Sequence, residues 1–325
     1  MDRCSRPALA SVPPSPWPSV STPAAVLIIV NHIAGGGRAE TRLRQLVATL
    51  RSEGIEFEVR ATHAPGHATE LAAEEGRRWP VVAALGGDGT ANEVANGLIS
   101  LAEPPPLAIL PGGSVNAVAR ALGMPRHPAA LARLLRAPTV ARLDVGWAEY
   151  LGRGGTERRA FVLLAGTGWN SRLLERARSY RRLGNASTYL LAGLREWWGV
   201  SQVAADVELP GGCQHVMLTD ALVVNIPIDG PFLHLAPGAH AVDGQLEAII
   251  ITAAGRWRLL ELLSALPRGA HVRHSHVSYE RLTSLAIAPT RPLPVQLDGE
   301  LVGQTPLRVR VEPAALPVLL GRSQV

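Results

Sequence analysis

The apolar positions of the chain change their period near residue 138, and that change divides the sequence. Residues 24–30 form a continuous apolar run of strand length, and residues 39–53 place Leu43, Leu46, Val47 and Leu50 on one face of a helix that Gly54 closes. The pattern continues with a strand over 55–62, a helix over 67–78, a strand over 81–85, a helix over 92–100, a strand over 107–110 and a helix ending at Leu122. Repetition of this kind predicts a parallel, doubly wound α/β sheet. Ligands of such sheets sit beyond the carboxyl ends of the strands, and three glycine-rich turns fall there, at 35–37, 86–89 and 112–113.

Beyond residue 138 the pattern is β-rich, with strands expected over 139–150, 160–167, 203–209, 216–226, 246–252, 282–288 and 294–298. Two helical stretches interrupt them, about 172–198 and 256–266, and the whole reads as a β-sandwich of antiparallel sheets. The expected organisation is a disordered extension over 1–22, an α/β nucleotide-binding domain over 23–138, a β-sandwich domain over 139–306 and a segment over 307–325 that returns to the first domain. The first 22 residues, rich in Pro, Ser and Ala, have no apolar segment of signal-peptide length. No apolar run approaches the ~18 residues a membrane span needs. Cys4 and Cys213 make neither a disulfide framework nor a zinc site and suit a reducing compartment.

Composition narrows the chemistry. All 32 basic residues are arginine. A chain without lysine has no Walker A lysine, no kinase strand lysine and no Schiff-base lysine. Phosphate must then be met by arginine, hydroxyls, backbone N–H groups or a metal. The net charge of +5 and pI near 10.0 suit an anionic partner. Aromatic residues are only 4 % and no nucleic-acid motif is present, so nucleic acid is not the expected partner.

The strongest motif is Gly86-Gly87-Asp88-Gly89-Thr90-Ala91-Asn92-Glu93, directly after an apolar strand and before a helix. Its amides and the positive end of the following helix dipole can face an anion. Asp88 would repel a phosphate unless a divalent cation stood between them, which makes it a candidate Mg²⁺-organising residue; the plainer alternative is a tight turn with Asp88 or Thr90 as helix cap. Pro111-Gly112-Gly113-Ser114-Val115-Asn116 repeats the strand–turn–helix context, with Ser114 able to cap the helix or to donate to a phosphate. Asn31, followed by His32, Ile33, Ala34 and Gly35–Gly37, opens a weaker turn that a nucleotide could approach. Leu297-Asp298-Gly299-Glu300 places two carboxylates around a glycine, alone no more than a hairpin turn.

Taken together these motifs resemble the diacylglycerol kinase catalytic family, and within it the soluble bacterial lipid kinases related to sphingosine and ceramide kinases. Asn92-Glu93-Val94 and Asn96-Gly97 after the glycine–aspartate run, Ala119 to Gly123 with Pro125 after the second loop, and the late Asp298-Gly299-Glu300 carry the resemblance, in order, from about Ala24 to Leu320. It implies an α/β nucleotide domain followed by a β-sandwich, and transfer of the γ-phosphoryl group of ATP to a lipid hydroxyl with Mg²⁺, a reaction of phospholipid metabolism. It puts Asn31, Gly86 to Glu93, Gly113, Ser114, Asn116 and Thr62 at the nucleotide. Glu300 becomes the proton acceptor with Asp298 beside it, Asp144 belongs to the metal network, and the Asp243 side chain with the His240 and Gln245 carbonyls holds a structural Mg²⁺. The implied partner is a lipid at a membrane surface containing anionic phospholipid; a homodimer is left open, and the expected place is the cytoplasm with peripheral membrane association.

Three departures stand out. His32 and Ala34 replace the proline and serine of the family's first motif, and Ala117 stands where many members carry aspartate. Alternatives are a soluble-metabolite kinase akin to NAD kinase and a non-catalytic nucleotide- or lipid-binding relative. Arg172, Arg176, Arg178, Arg181, Arg182 and Arg195 against Glu175 and Glu196, closed by Trp197 and Trp198, read equally as a solvated face or a membrane-facing helix. His271, His274 and His276 read as a loose exposed cluster.

Overall fold

The computed structural model of the chain describes residues 25–179, 185–230 and 233–321, so the expected extension over 1–22 lies outside the described residues. The chain divides into two compact units, one built from the residues up to Leu143 together with those from Ala314 onward, the other from Asp144 to Pro313.

In the first unit strands and helices alternate: β1 (Ala25–Val30), α1 (Arg38–Ser52), β2 (Glu56–Ala61), α2 (His67–Glu75), β3 (Val81–Gly86), α3 (Asp88–Ile99), β4 (Leu107–Pro111), α4 (Ala117–Ala121) and α5 (Pro128–Arg136). Strands β2, β1, β3 and β4 pair in parallel in that order, and the last residues of the long strand β17 (Glu300–Leu319) lie beside β4, Val318 opposite Leu107. The apolar runs of β1, β3 and β4 are buried almost throughout, as in central strands covered on both faces, while the edge strand β2 is half-buried. Leu43, Leu46 and Leu50 of α1 and Leu131, Leu134 and Leu135 of α5 supply covering apolar stripes.

The second unit contains β5 (Val140–Gly152), whose first residues belong to the first unit, then β6 (Gly155–Phe161), β7 (Leu164–Gly168), α6 (Trp169–Ser179), α7 (Asn185–Trp198), β8 (Val203–Leu209), β9 (Gly212–Leu218) and β10 (Asp220–Val224). There follow β11 (Ile228–Gly230), β12 (Leu233–Leu235), β13 (Leu246–Ile251), α8 (Arg256–Ala265), β14 (Val277–Leu282), β15 (Ser284–Pro289), β16 (Pro294–Leu297) and the body of β17. Antiparallel pairing runs β14–β13–β10–β7–β16–β17, while β9–β8–β15 joins β17 at another edge. The alternation of β8 buries Val203, Ala205, Val207 and Leu209 in one core with Phe161, Leu285, Ile287, Leu307 and Val309. The unit is a sandwich-like arrangement of antiparallel strands around that core.

Several boundaries differ from the sequence reading. Helix α3 starts at Asp88 rather than at residue 92, so Asp88, Gly89 and Thr90 are a first helical turn and not a loop. Poor helix formers are tolerated there because first-turn N–H groups have no intrahelical partner to lose. Most of β6 and of β9 lies on solvent-exposed sequence, GTERRAF and GCQHVML, in which only Ala160, Phe161 and Leu218 are buried, and so carries no apolar alternation. The stretch expected as one helix over 172–198 is two, α6 and α7. His271 is buried, not exposed: a 3-10 turn over Ala270–Arg273 turns it inward, and burial lowers its pKa.

Candidate active site

Three turns meet at the carboxyl ends of the first unit's strands. The N–H groups of Gly112 and Gly113 both donate to Gly86 O, at 2.7 and 2.8 Å, and Asn31 N donates to Leu85 O at 3.1 Å. The backbones approach so closely that a Cβ on Gly113 would stand 2.5 Å from Gly87 Cα, and one on Gly35 would stand 2.5 Å from Gly112 O. Asn116 locks the second turn. With its backbone in the left-handed region at φ 52, its Oδ1 accepts from Gly113 N at 2.7 Å and its Nδ2 donates to Gly113 O at 2.9 Å.

Helix α3 points its amino end into this cluster. Gly87 is its N-cap and no side chain caps it, so the first-turn amides face outward with the positive end of the helix dipole. Thr90 is buried and folds back over Gly86, leaving no room for a side chain there. The Asp88 carboxylate, half-buried, accepts from Val118 N at 3.1 Å. Thr62, just past β2, donates its N–H to Val30 O at 2.9 Å and so stands at the same strand ends as Asn31.

Two of the expected nucleotide residues are engaged elsewhere in this unit. Glu93 accepts from Ala68 N at 3.2 Å and so serves the amino end of α2, while the backbone and side-chain oxygens of buried Asn92 accept from Asn96 at 2.9 and 3.2 Å. The departures from the family pattern have local consequences. His32 pairs with Glu40 of α1, and Ala117 opens α4 with its side chain buried.

Arg38 was not singled out in the sequence. It is exposed, donates Nε to Gly35 O at 2.8 Å and Nη2 to Ser114 Oγ at 3.1 Å, and so spans the first and second loops. A signal existed: in a chain without lysine, the arginine directly after Gly35–Gly37 is the cation nearest a phosphate loop. Arg42, one turn further along α1, is partly buried with Nη1 unpartnered among the described residues; burial, then Arg126 and Arg38, lower its pKa.

In the second unit, Asp298 and Gly299 form the two-residue turn between β16 and β17, both with positive φ, 49 and 85. Asp298 is buried, and its carboxylate accepts from Val162 N at 2.9 Å, Leu163 N at 2.9 Å and Leu164 N at 2.8 Å. Glu300 is more open, with 37 % of its side chain exposed, and pairs with Arg159 at 3.0 Å. Asn225, missed in the sequence, donates from Nδ2 to Asp144 O and Val162 O, each at 2.8 Å, and so ties the strand carrying Asp144 to the turn that Asp298 holds.

Asp144 is buried and its Oδ2 accepts from Gly244 N at 2.6 Å, which fixes the 240–245 loop. Within that loop Asp243 accepts from Gln245 N at 3.0 Å and from Arg281 Nη2 at 2.9 Å. Arg281 also donates to Glu247 Oε1 at 2.8 Å and to Gly238 O at 3.0 Å. This donor set fits a structural Mg²⁺ poorly, because the loop's carboxylate is already balanced by a guanidinium. Among the described residues no group of three His, Cys, Asp or Glu side chains could hold a metal ion.

Of the arginine segment, Arg181 and Arg182 lie outside the described residues. Arg172 and Arg176 face inward, to Glu196 of α7, the former at 3.6 Å.

Comparison with known proteins supplies the family context. The model of the diacylglycerol kinase catalytic domain matches residues 25–148, and that of the YegS C-terminal NAD kinase beta sandwich-like domain matches residues 164–320. The chain is 30 % identical over 284 residues to the probable lipid kinase YegS-like of Chromohalobacter salexigens, covering 84 % of this chain and 87 % of that protein. It is 29 % identical over 282 residues to the diacylglycerol kinase of Bacillus subtilis (strain 168), covering 86 % and 90 %. A crystal structure of a diacylglycerol kinase from Bacillus anthracis strain Sterne shares the fold at a TM-score of 0.68 and 20 % identity, covering 93 % of this chain and 98 % of the other. Yeast NADH kinase complexed with NADH shares it more distantly, at a TM-score of 0.54 and 10 % identity, covering 94 % and 85 %.

Proposed function

The chain belongs to the diacylglycerol kinase catalytic-domain family, and from that premise we propose that it transfers the γ-phosphoryl group of ATP, bound as its Mg²⁺ complex, to the hydroxyl of a membrane lipid. The observation that carries this reading is the uncapped amino end of α3 set against the Gly112–Gly113 turn, with both turns locked by backbone hydrogen bonds and Asn116. Such an end is a ready-made phosphate site. The first-turn amides take the phosphates, and Asn31, Thr62 and Ser114 border them. Arg38 supplies the cation that a lysine supplies elsewhere. Asp88 orients the Mg²⁺ that arrives with ATP, a hard cation suited to carboxylate oxygen.

Phosphoryl transfer needs positioning and charge neutralisation more than covalent help. The acceptor oxygen forms a bond to the γ-phosphorus while the bond from that phosphorus to the bridging oxygen breaks, and ADP leaves with the electron pair. The acceptor's proton passes to Glu300, which Arg159 orients. Asp298 holds the turn that carries Glu300, and its three N–H contacts suit it to that task. Asp144 orders the 240–245 loop. The protein acts as a peripheral one at the cytoplasmic membrane surface; among the described residues no helix is long and apolar enough to cross a membrane.

The test is incubation of purified protein with labelled ATP, Mg²⁺ and a panel of lipid alcohols, followed by extraction into organic solvent. Label in the organic phase supports the reading. The likeness to yeast NADH kinase motivates a second acceptor class: label that stays in water and requires NAD or NADH replaces the lipid with a soluble metabolite.

A further inference from the structure

We propose that the ends of α7 and α8 form a tryptophan–arginine platform that seats the protein on the surface of an anionic phospholipid bilayer. The identity of that surface rests on the lipid-kinase reading; the platform itself rests on geometry. Three of the chain's seven tryptophans lie together here. Trp197 is anchored, its Nε1 donating to Arg256 O at 2.9 Å, and its ring meets Trp198 at 6.1 Å and Trp257 at 5.5 Å between centroids, both edge-on. The Arg256 guanidinium lies among the three rings, 4.3 Å from that of Trp198. Trp198 and Trp257 are nevertheless 69 % and 65 % exposed, and Leu194 and Leu260 beside them are 53 % and 45 % exposed. Large apolar side chains gathered in the open mark an interaction surface.

The charge around them selects the occupant. Arg195 and Arg258 are exposed on the same two helix ends. Of the nearby acids, Glu196 is buried and paired with Arg172 and Arg176, while Glu261 is exposed and stands 3.3 Å from His274. Against that one open carboxylate the patch presents Arg195, Arg256 and Arg258 around its indole rings, so its balance is apolar and cationic. Indole rings settle at the level of lipid headgroups, where an apolar body and a polar N–H are both satisfied, and arginine reaches lipid phosphates. A protein partner would need a matching acidic and apolar face; a bilayer containing anionic lipid offers both chemistries everywhere. The platform also relocates the membrane contact from the arginines of α6, two of which are tied inward, to the ends of α7 and α8.

The test uses the full chain and vesicles of phosphatidylcholine with or without phosphatidylglycerol. Wild-type protein should partition onto the anionic vesicles and leave them as salt is raised. Trp198→Ser with Trp257→Ser should weaken partitioning about thirty-fold, which corresponds to about 2 kcal/mol. Arg256→Gln with Arg258→Gln should abolish the preference for phosphatidylglycerol. Both doubles should melt as the wild type does and keep its activity on detergent-dispersed lipid. Brominated acyl chains should quench wild-type fluorescence more than that of Trp198→Phe with Trp257→Phe, a readout that does not depend on loss of binding. Unchanged vesicle binding of the serine double overturns the platform. So does a wild-type dimer that those substitutions dissociate, since a second copy would then cover the patch. If wild-type protein phosphorylates no lipid in detergent while tryptophan-dependent binding holds, the lipid-kinase reading fails and the platform stands.

Discussion

The Asp88 carboxylate accepts a hydrogen bond from the backbone N–H of Val118, 30 positions along the chain and 3.1 Å away. The acid of the glycine–aspartate motif therefore also positions α4, directly after the second glycine loop. Its two tasks separate by substitution. Asp88→Asn keeps an acceptor for Val118 and removes the charge, so turnover should fall at least about a hundredfold with little change in melting. Asp88→Ala should lose the same activity and also about 1 kcal/mol of stability. Paired measurement of turnover and thermal unfolding checks both, and an active Asn variant removes Asp88 from the metal-organising role.

The approach of the two glycine turns is asymmetric, which gives a second test. Alanine at 113 would bring its Cβ to 2.5 Å from a backbone atom of Gly87, whereas alanine at 87 would stand 3.6 Å from Gly113. Gly87 also has an ordinary φ of −91. Gly113→Ala should cost about 1–3 kcal/mol through overpacking and raise the Michaelis constant for ATP, while Gly87→Ala should melt close to wild type. Equal melting of the two would mean that close approach is not what requires glycine here.

The same contrast explains what was legible in the sequence. Strands β1, β3 and β4 were, because both faces are buried and the run is unbroken, and each glycine turn could be placed because it follows such a run. The start of α3 was not, since Asp88-Gly89-Thr90 has weak helix propensity. Arg159, Asn225 and Arg281 left no trace near the motifs they serve: each meets its partner across 141, 81 and 38 positions respectively. Arg38 was within reach, adjacent to its glycines.

Asp298 and Glu300 flank one glycine and should fail in different ways. Asp298→Ala leaves three backbone donors without their charged acceptor, and at about 1.5–3 kcal/mol for such bonds the loss should reach at least about 3 kcal/mol. Glu300→Gln should leave melting nearly unchanged and lower kcat by about a hundredfold or more, with the Michaelis constant for ATP little affected. Full turnover in Glu300→Gln would exclude it as the proton acceptor.

Asp220, at the start of β10, accepts from Asn170 N at 3.0 Å and from Asn170 Nδ2 at 2.6 Å. Burial pushes its pKa up to about 7, against the opposing pull of these bonds and of Arg172. A carboxyl raised in the folded state costs nothing below its unfolded value, near 4, where both states hold the proton. As pH rises from there to about 7 the unfolded chain ionises first, so stability falls across that window and levels off above it. Asp220→Asn, still able to accept from Asn170, should remove the slope. Its melting temperature relative to wild type should climb between pH 4 and 7, by the equivalent of up to about 4 kcal/mol. Parallel melting curves across that range would contradict a raised pKa.

The last prediction concerns the cation at the 240–245 loop. Arg281 reaches Asp243 at 2.9 Å and Glu247 at 2.8 Å, and Glu247 is buried. Its own pKa is raised, chiefly by the bond to Glu247, so it stays charged at any working pH. Two carboxylates so close need one positive partner, and the chain supplies it. Nucleotide-free wild-type protein should therefore melt at the same temperature with and without millimolar Mg²⁺. Arg281→Gln removes the guanidinium while keeping a donor for Gly238 O. It leaves a buried acid without its counter-charge, which should cost about 3 kcal/mol or more. Two acids and the loop carbonyls are then left with no cation, the setting in which Mg²⁺ binds, so added Mg²⁺ should recover part of that loss in the variant alone. Asp243→Ala in the same background should abolish the recovery. A wild-type melting temperature that rises with Mg²⁺, and stops rising in Asp243→Ala, would instead return the ion to this loop and reduce Arg281 to a neighbour of the site.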